Sequence, residues 1–264
     1  MGPATTQSWQ SLYRSPAPCD HVIQLYTDDA FLTRAIGEFI GTGLAQGEGA
    51  VIIATPEHTA AVTHVLNRRM DVAAAQARTQ LVMLDAQGTM DQFMVEGHPD
   101  RERFFAIAGA VLDRVAAAGY PQMRLFGEMV DLLWDHNLPA TIELEELWNE
   151  VLAARRVSLL CAYHIDNFDR HVHRGVLHQL SRTHSHVVPV EDYGRFERAV
   201  DQAYREVFGP DSDASLLREL LAHPAADAPV MPAAQAALLA LRDVRRDLAD
   251  DVLARARRHY LRAS

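Results

Sequence analysis

The chain has 264 residues, of which 48% are hydrophobic, and a formal net charge of −10 at neutral pH. This length allows one α/β domain with an appendage, and the negative charge disfavours direct binding to nucleic acid or anionic membranes. The sequence contains no lysine, which excludes a Walker A lysine and Schiff-base chemistry. Two cysteines and no apolar leader or membrane-length segment predict a cytoplasmic protein.

Residues 21–44 organise the predicted fold, because they read as a buried strand, a tight turn and a helix with one apolar face. Nucleotide-binding folds place their phosphate grip in such a turn. Here the turn has no glycine, and Asp28 and Asp29 stand at the helix N-terminus, where they would repel a phosphate. We therefore expect the shape of a nucleotide-binding fold without ATPase activity.

Apolar runs separated by helical patterns predict five further strands, at residues 50–55, 80–86, 123–129, 157–165 and 186–190. Helices are predicted between them, at residues 56–69, 89–96, 99–119, 140–154 and 167–181. This alternation predicts an α/β fold with a three-layer, largely parallel sheet that carries helices on both faces. In such a sheet, ligands bind at the carboxyl ends of the strands.

The composition divides the chain into three predicted parts: a flexible leader over residues 1–19, an α/β domain over residues 20–193, and a helical extension over residues 194–264. The last helical segment, roughly residues 232–260, has one apolar stripe. Such a stripe predicts a homodimer contact or a docking surface for a partner helix.

A family resemblance becomes specific at residues 124–152, RLFGEMVDLLWDHNLPATIELEELWNEVL. Together with HVIQLYTDDAFL, VSLLCAYHI and HSHVVPVEDY, this segment resembles the MEDS family, the methanogen/methylotroph sensory domain found in a dichloromethane-responsive regulator. The resemblance implies a RecA-like fold without a working phosphate loop. It also implies sensing of small hydrocarbon derivatives and a transcription-regulator or histidine-kinase partner. The helix-turn-helix or kinase module often fused to members of the family is not evident here.

A ligand site is predicted where the strands end. Glu128 could hydrogen-bond a ligand or polarise a water there, although it could instead cap the next segment or pair with Arg124. Phe31, Phe126, Met129 and Trp134 would suit a small apolar effector. The full set of ligand-binding candidates is Tyr26, Asp28, Phe31, Thr55, Phe126, Glu128, Met129, Cys161, Tyr163 and His164.

Two places could hold a metal ion. Strand alternation puts Cys161 and Tyr163 on one face and His164 on the other, which separates the thiol from that imidazole. His184 and His186 could share a face of an extended segment, and they are the better metal candidates. The sequence requires no cofactor, and no catalytic residue is assigned. A metal-dependent hydrolase using His184, His186 and Glu128 is the alternative to a sensor, and a ligand-free interaction scaffold is the third possibility.

Overall fold

The computed structural model describes residues 9–209 and 229–262. Residue contacts divide the chain into two compact units. Of the described residues, the first unit comprises 9–24 and 28–164, and the second comprises 25–27, 165–209 and 229–262.

The strands are β1 His21–Tyr26, β2 Gly49–Ala54, β3 Leu81–Asp85, β4 Met94–Val95, β5 His98–Pro99, β6 Met123–Gly127, β7 Val157–His164 and β8 His186–Val188. Six of them form one sheet in the order β3-β2-β6-β7-β1-β8, and β4 and β5 form a small antiparallel hairpin. The pairs β2/β3, β2/β6 and β6/β7 are all parallel. The predicted α/β fold with a largely parallel sheet is thereby confirmed.

The helices are α1 Trp9–Arg14, α2 Asp29–Ala45, α3 Pro56–Asn67, α4 Val72–Ala77, α5 Ala86–Met90, α6 Arg101–Ala117, α7 Leu138–Ala154, α8 Leu177–Arg182, α9 Tyr193–Phe208, α10 Ala233–Val244 and α11 Arg246–Arg262, and a π-helical turn spans Val172–Val176. Side-chain oxygens cap the N-termini of most of them, as Asp28 does for α2 and Thr55 for α3. Such caps satisfy backbone N–H groups that have no partner within the helix. No described helix combines the length and the hydropathy needed to cross a bilayer.

The first unit places helices on both faces of its strands. Leu125 of β6 points toward α6, where it shares a cavity wall with Leu112. Arg124, the preceding residue, points the other way and reaches the backbone of Phe39 in α2. This alternation is the two-residue period of a strand that is buried on both sides.

Two sequence-based expectations in the first unit were wrong. The predicted flexible leader contains α1, whose residue Tyr13 is fully buried, while residues 1–8 lie outside the described part of the chain. The ring of Trp9 packs against Phe31 at 5.7 Å between centroids, and the ring of Tyr13 packs against Phe39 at 6.4 Å. These two aromatic residues, four positions apart, anchor a segment whose sequence is otherwise mostly polar. The helix predicted at 89–96 is instead α5, which ends at Met90, followed by the β4/β5 hairpin.

The second unit packs α9 against the two C-terminal helices. Phe196 and Tyr204 of α9 share a buried core with Leu238, Leu241 and Val252. The apolar stripe of the C-terminal segment is therefore used, in large part, inside its own unit, although Val244 remains 61% exposed. The predicted boundary after residue 193 and the predicted homodimer contact stay predictions, and residues 210–228 and 263–264 of the extension lie outside the described residues.

One buried arginine joins several elements of the first unit. Arg124 is 1% exposed, and its five N–H groups donate to oxygens of Glu48, Tyr13, Phe39, Arg14 and Gln46 at 2.5–3.2 Å. A Cβ atom at Gly43 would lie 2.6 Å from Arg124 Cδ, so the guanidinium fits only beside a glycine. The alternative pairing of Arg124 with Glu128 was wrong, because the carboxylate partner of Arg124 is Glu48.

We expect Arg124→Met to lower the free energy of unfolding by about 3–5 kcal/mol, because it leaves the Glu48 carboxylate and several backbone carbonyls without a donor. Urea denaturation measures the change. Arg103→Met, at an exposed position of α6, is the matched control and should change stability by less than about 0.5 kcal/mol. Equal losses in the two variants would contradict this role for Arg124.

Candidate functional site

Glu128 is the first residue after β6, at the carboxyl end of a central strand, and it is 1% exposed. Its backbone N–H donates to the carbonyl of Ile53 at 3.1 Å, which fixes its position beside the end of β2. Carboxylate atom Oε1 accepts a hydrogen bond from the backbone N–H of Thr55, and Oε2 lies 2.5 Å from Nδ1 of His58. Both oxygens of the predicted ligand-binding carboxylate are thus held by protein groups.

His58 links Glu128 to the N-terminus of α2. It lies in the first turn of α3, because Thr55 caps that helix through the N–H of His58 at 3.4 Å. Its Nε2 is 3.7 Å from Oδ1 of Asp29. The hydrogen bond to Glu128 is the main cause that raises the pKa of His58 above its usual value of 6.5, against the opposing effect of burial. His58 therefore lies between the carboxylates of Glu128 and Asp29 and can carry a proton there.

Sequence reasoning missed His58. It named Thr55 and Glu128, which the structure brings together with His58, but 70 residues separate His58 from Glu128. The available signal was a histidine in the first turn of a helix that follows a buried strand. That position places a side chain at the carboxyl edge of a parallel sheet, where ligands bind.

Four other ligand-binding candidates are held by contacts within the protein. Asp28 caps α2, with Oδ1 accepting from the N–H of Ala30 at 2.9 Å. Phe31 and Phe126 are buried. Tyr26, in the second unit, is also buried, and its carbonyl accepts from the N–H of Ile165 at 3.0 Å. A ligand-binding role for these residues stays a prediction.

An apolar cavity of about 20 Å³ lies between the sheet and α6. Its walls come from β2, β3, β6, α5, α6 and α7 and from the segments that follow β6 and α5; they are Val51, Ile53, Leu84, Thr89, Phe93, Phe104, Ile107, Ala108, Val111, Leu112, Leu125, Met129 and Trp148. Of the apolar set predicted from the sequence, Met129 lines this cavity, whereas Phe31, Phe126 and Trp134 do not. Trp134 instead donates its indole N–H to Asp131 at 3.1 Å.

The end of β7 confirms the predicted alternation. Cys161 and Tyr163 are buried, and both contact Glu145 of α7: the Cys161 thiol donates to Oε2 at 3.6 Å, and the Tyr163 hydroxyl donates to Oε1. Burial, together with the negative charge of Glu145, raises the pKa of Cys161 and of Tyr163 well above their ordinary values. His164 is exposed, and its backbone N–H donates to Asp131 at 2.6 Å.

Three further polar residues belong to this buried group. His21 of β1 and Glu145 and Asn149 of α7 lie in or beside the core, and sequence reasoning named none of them. The signals were a histidine at the start of an apolar strand and a glutamate beside Leu144 and Trp148 on the buried stripe of α7. A charged residue on such a stripe requires a partner in the core.

His184 and His186, the metal candidates of the sequence, lie in the second unit. His184 is 5% exposed, and its Nδ1 donates to the carbonyl of Leu180 at 2.7 Å. His186 begins β8, and its Nδ1 lies 2.9 Å from Oγ of Ser185. Both rings therefore make local hydrogen bonds, and a role in metal binding stays a prediction for this pair.

These features define a class of protein: an α/β domain with the architecture of nucleotide-binding folds, whose first turn presents aspartates where those folds bind phosphate. The chain belongs to the MEDS family, the methanogen/methylotroph, DcmR sensory domain, whose model matches residues 20–185. This membership agrees with a sensory or regulatory role. No curated protein and no solved structure was found to match the chain.

The raised pKa of His58 predicts a pH-dependent contribution to stability. Because the folded-state pKa lies above the unfolded value, the interaction with Glu128 stabilises the fold fully below the ordinary pKa of 6.5 and is lost as pH rises through the folded pKa. The stability difference between the wild type and His58→Gln should therefore be larger at about pH 5.5 than at about pH 9, as measured by urea unfolding.

His64→Gln is the control for this experiment, since His64 is exposed on the same helix. Its effect on stability should be small at both pH values. A His58→Gln effect that is independent of pH, or one that grows as pH rises, would show that the histidine does not hold a proton against Glu128.

Proposed function

We propose that this chain is a cytoplasmic sensory module that binds a small apolar effector and signals to a transcription-regulator or histidine-kinase partner. Membership of a sensory-domain family is the observation that carries the proposal. The apolar cavity between the sheet and α6 supports it, because its walls include Met129, which directly follows the strand-end residue Glu128 in the chain.

The cavity walls indicate the chemistry of the effector. They are aliphatic and aromatic apart from Thr89, and apolar cavities of this kind favour apolar guests over water. A volume of about 20 Å³ is close to the space that one water-sized probe requires. An effector such as a halomethane therefore has to displace side chains, and Met129 is suited to this because its unbranched side chain adapts to new shapes.

Met129 also gives effector binding a route to the strand-end carboxylate. It follows Glu128 directly in the chain and is 2% exposed. A displaced Met129 acts through the backbone on Glu128, whose carboxylate holds both Thr55 and His58. On this proposal, the filled cavity alters the position of α3 and the proton held by His58, and these changes constitute the signal.

We infer a binding role rather than catalysis for the strand-end site. The Glu128 carboxylate accepts from Thr55 and contacts His58, so an attack on a substrate would first break these hydrogen bonds. Asp28 and Asp29 lie at the N-terminus of α2, in the turn that follows β1. Their negative charges would repel a phosphate at this position, which supports the absence of ATPase activity.

Dichloromethane at millimolar concentration should raise the melting temperature of the full chain, because a guest that binds only the folded state adds RT ln(1 + [L]/Kd) to its stability. Ala108→Leu should abolish the shift, since Ala108 lines the cavity and the larger side chain fills it. Ala110→Leu, at an exposed position of α6, makes the same substitution outside the cavity and should keep the full response. Differential scanning fluorimetry measures all three proteins.

Methanol at the same concentration serves as the polar comparison and should leave the melting temperature unchanged. The proposal fails if dichloromethane, cyclopropane and xenon all leave the wild type unchanged. It also fails if Ala108→Leu and Ala110→Leu respond alike, because the guest would then bind somewhere other than this cavity.

A further inference from the structure

Three potential metal ligands meet in the core of the first unit. His21 Nε2 lies 3.2 Å from Glu145 Oε2 and 3.3 Å from Cys161 Sγ, and the thiol lies 3.6 Å from the same carboxylate oxygen. The three residues are at most 2% exposed. They come from β1, α7 and β7, so three separate elements bring one nitrogen, one oxygen and one sulfur atom to a single point.

The size of this triangle matches a tetrahedral transition-metal site. Zinc binds histidine nitrogen at about 2.0–2.1 Å, carboxylate oxygen at about 2.0–2.2 Å and thiolate sulfur at about 2.3 Å. At tetrahedral angles, these bond lengths place the ligand atoms roughly 3.4–3.6 Å from one another. The observed separations of 3.2, 3.3 and 3.6 Å require movements of only a few tenths of an ångström.

Hydrogen bonds from outside the triangle orient two of its three side chains. Nδ1 of His21 donates to the amide oxygen of Asn149 at 2.8 Å, which orients the ring so that Nε2 faces Glu145 and Cys161. The other oxygen of Glu145 accepts from the hydroxyl of Tyr163. Metal-bound histidines and carboxylates are commonly oriented by such outer hydrogen bonds, and Asn149 and Tyr163 provide one for each ligand.

We propose that His21 Nε2, Glu145 Oε2 and Cys161 Sγ bind one divalent transition-metal ion of the zinc class. The mixture of nitrogen, oxygen and sulfur donors suits Zn²⁺ and Co²⁺, whereas Mg²⁺ and Ca²⁺ prefer oxygen alone. Binding releases the Cys161 thiol proton to solvent, and the thiolate donates its electron pair to the ion. The fourth coordination position takes one further donor. This inference does not rest on the proposed sensory function.

Cobalt substitution tests the site through the thiol. Because a buried site exchanges metal slowly, the full chain is unfolded in denaturant that contains a chelator. After the chelator is removed, the chain is refolded with one equivalent of Co²⁺ and separated from unbound ion. The wild type should retain one Co²⁺ per chain and show the near-ultraviolet band of sulfur-to-cobalt charge transfer. Surface histidines, of which the 13 in the chain offer several, cannot produce that band.

The two cysteines provide a matched pair of variants. Cys161→Ser should remove the charge-transfer band, whereas Cys19→Ser, at an exposed cysteine, should keep the band and the stoichiometry. Asn149→Ala leaves the three ligands in place and should weaken Co²⁺ binding by roughly 10–100-fold; it also tests the site if Cys161→Ser does not refold.

Three results would overturn the proposal: no cobalt retained by the refolded wild type, a charge-transfer band that persists in Cys161→Ser, or a band lost in Cys19→Ser. Any of them would leave the triangle as a hydrogen-bonded cluster in which the Cys161 thiol donates to Glu145.

Discussion

The guanidinium of Arg124 is the interaction on which the arrangement of the first unit depends. It donates hydrogen bonds to the carbonyls of Tyr13 and Arg14 at the C-terminal end of α1. The last carbonyls of a helix have no N–H partner within the helix. A six-residue helix is not stable alone, so α1 owes its place to this contact and to the ring contacts of Trp9 and Tyr13. Gly43 leaves the space in which the arginine side chain lies.

The same strand carries a buried carboxylate at its other end. Arg124 is the second residue of β6 and Glu128 directly follows its last residue, and neither neutralises the other, because Arg124 pairs with Glu48 and Glu128 with His58. The two ends therefore have different roles. The amino end binds backbone carbonyls of α1 and α2, whereas the carboxyl end holds a histidine whose pKa is raised by its hydrogen bond to Glu128.

Local patterns in the sequence predicted the strands well and the polar contacts poorly. Apolar runs located β1, β2, β3, β6, β7 and β8 to within one or two residues at most ends, because burial on both faces of a parallel sheet leaves a continuous hydrophobic signal. The contacts of His58 with Glu128 and of His21 with Cys161 join residues 70 and 140 positions apart. They depend on strand order, which periodicity does not encode, since β2 pairs with β6 and not with β1.

α7 belongs to both the apolar cavity and the buried polar triangle. Trp148 lines the cavity, and the adjacent Asn149 orients His21, while Glu145 lies one turn earlier and contacts His21 and Cys161. A helix moves nearly as a rigid body over one turn, because each of its backbone hydrogen bonds spans four residues. Any displacement of Trp148 would therefore also displace Glu145 and Asn149, which makes the geometry of the triangle depend on the packing of α7 against the cavity.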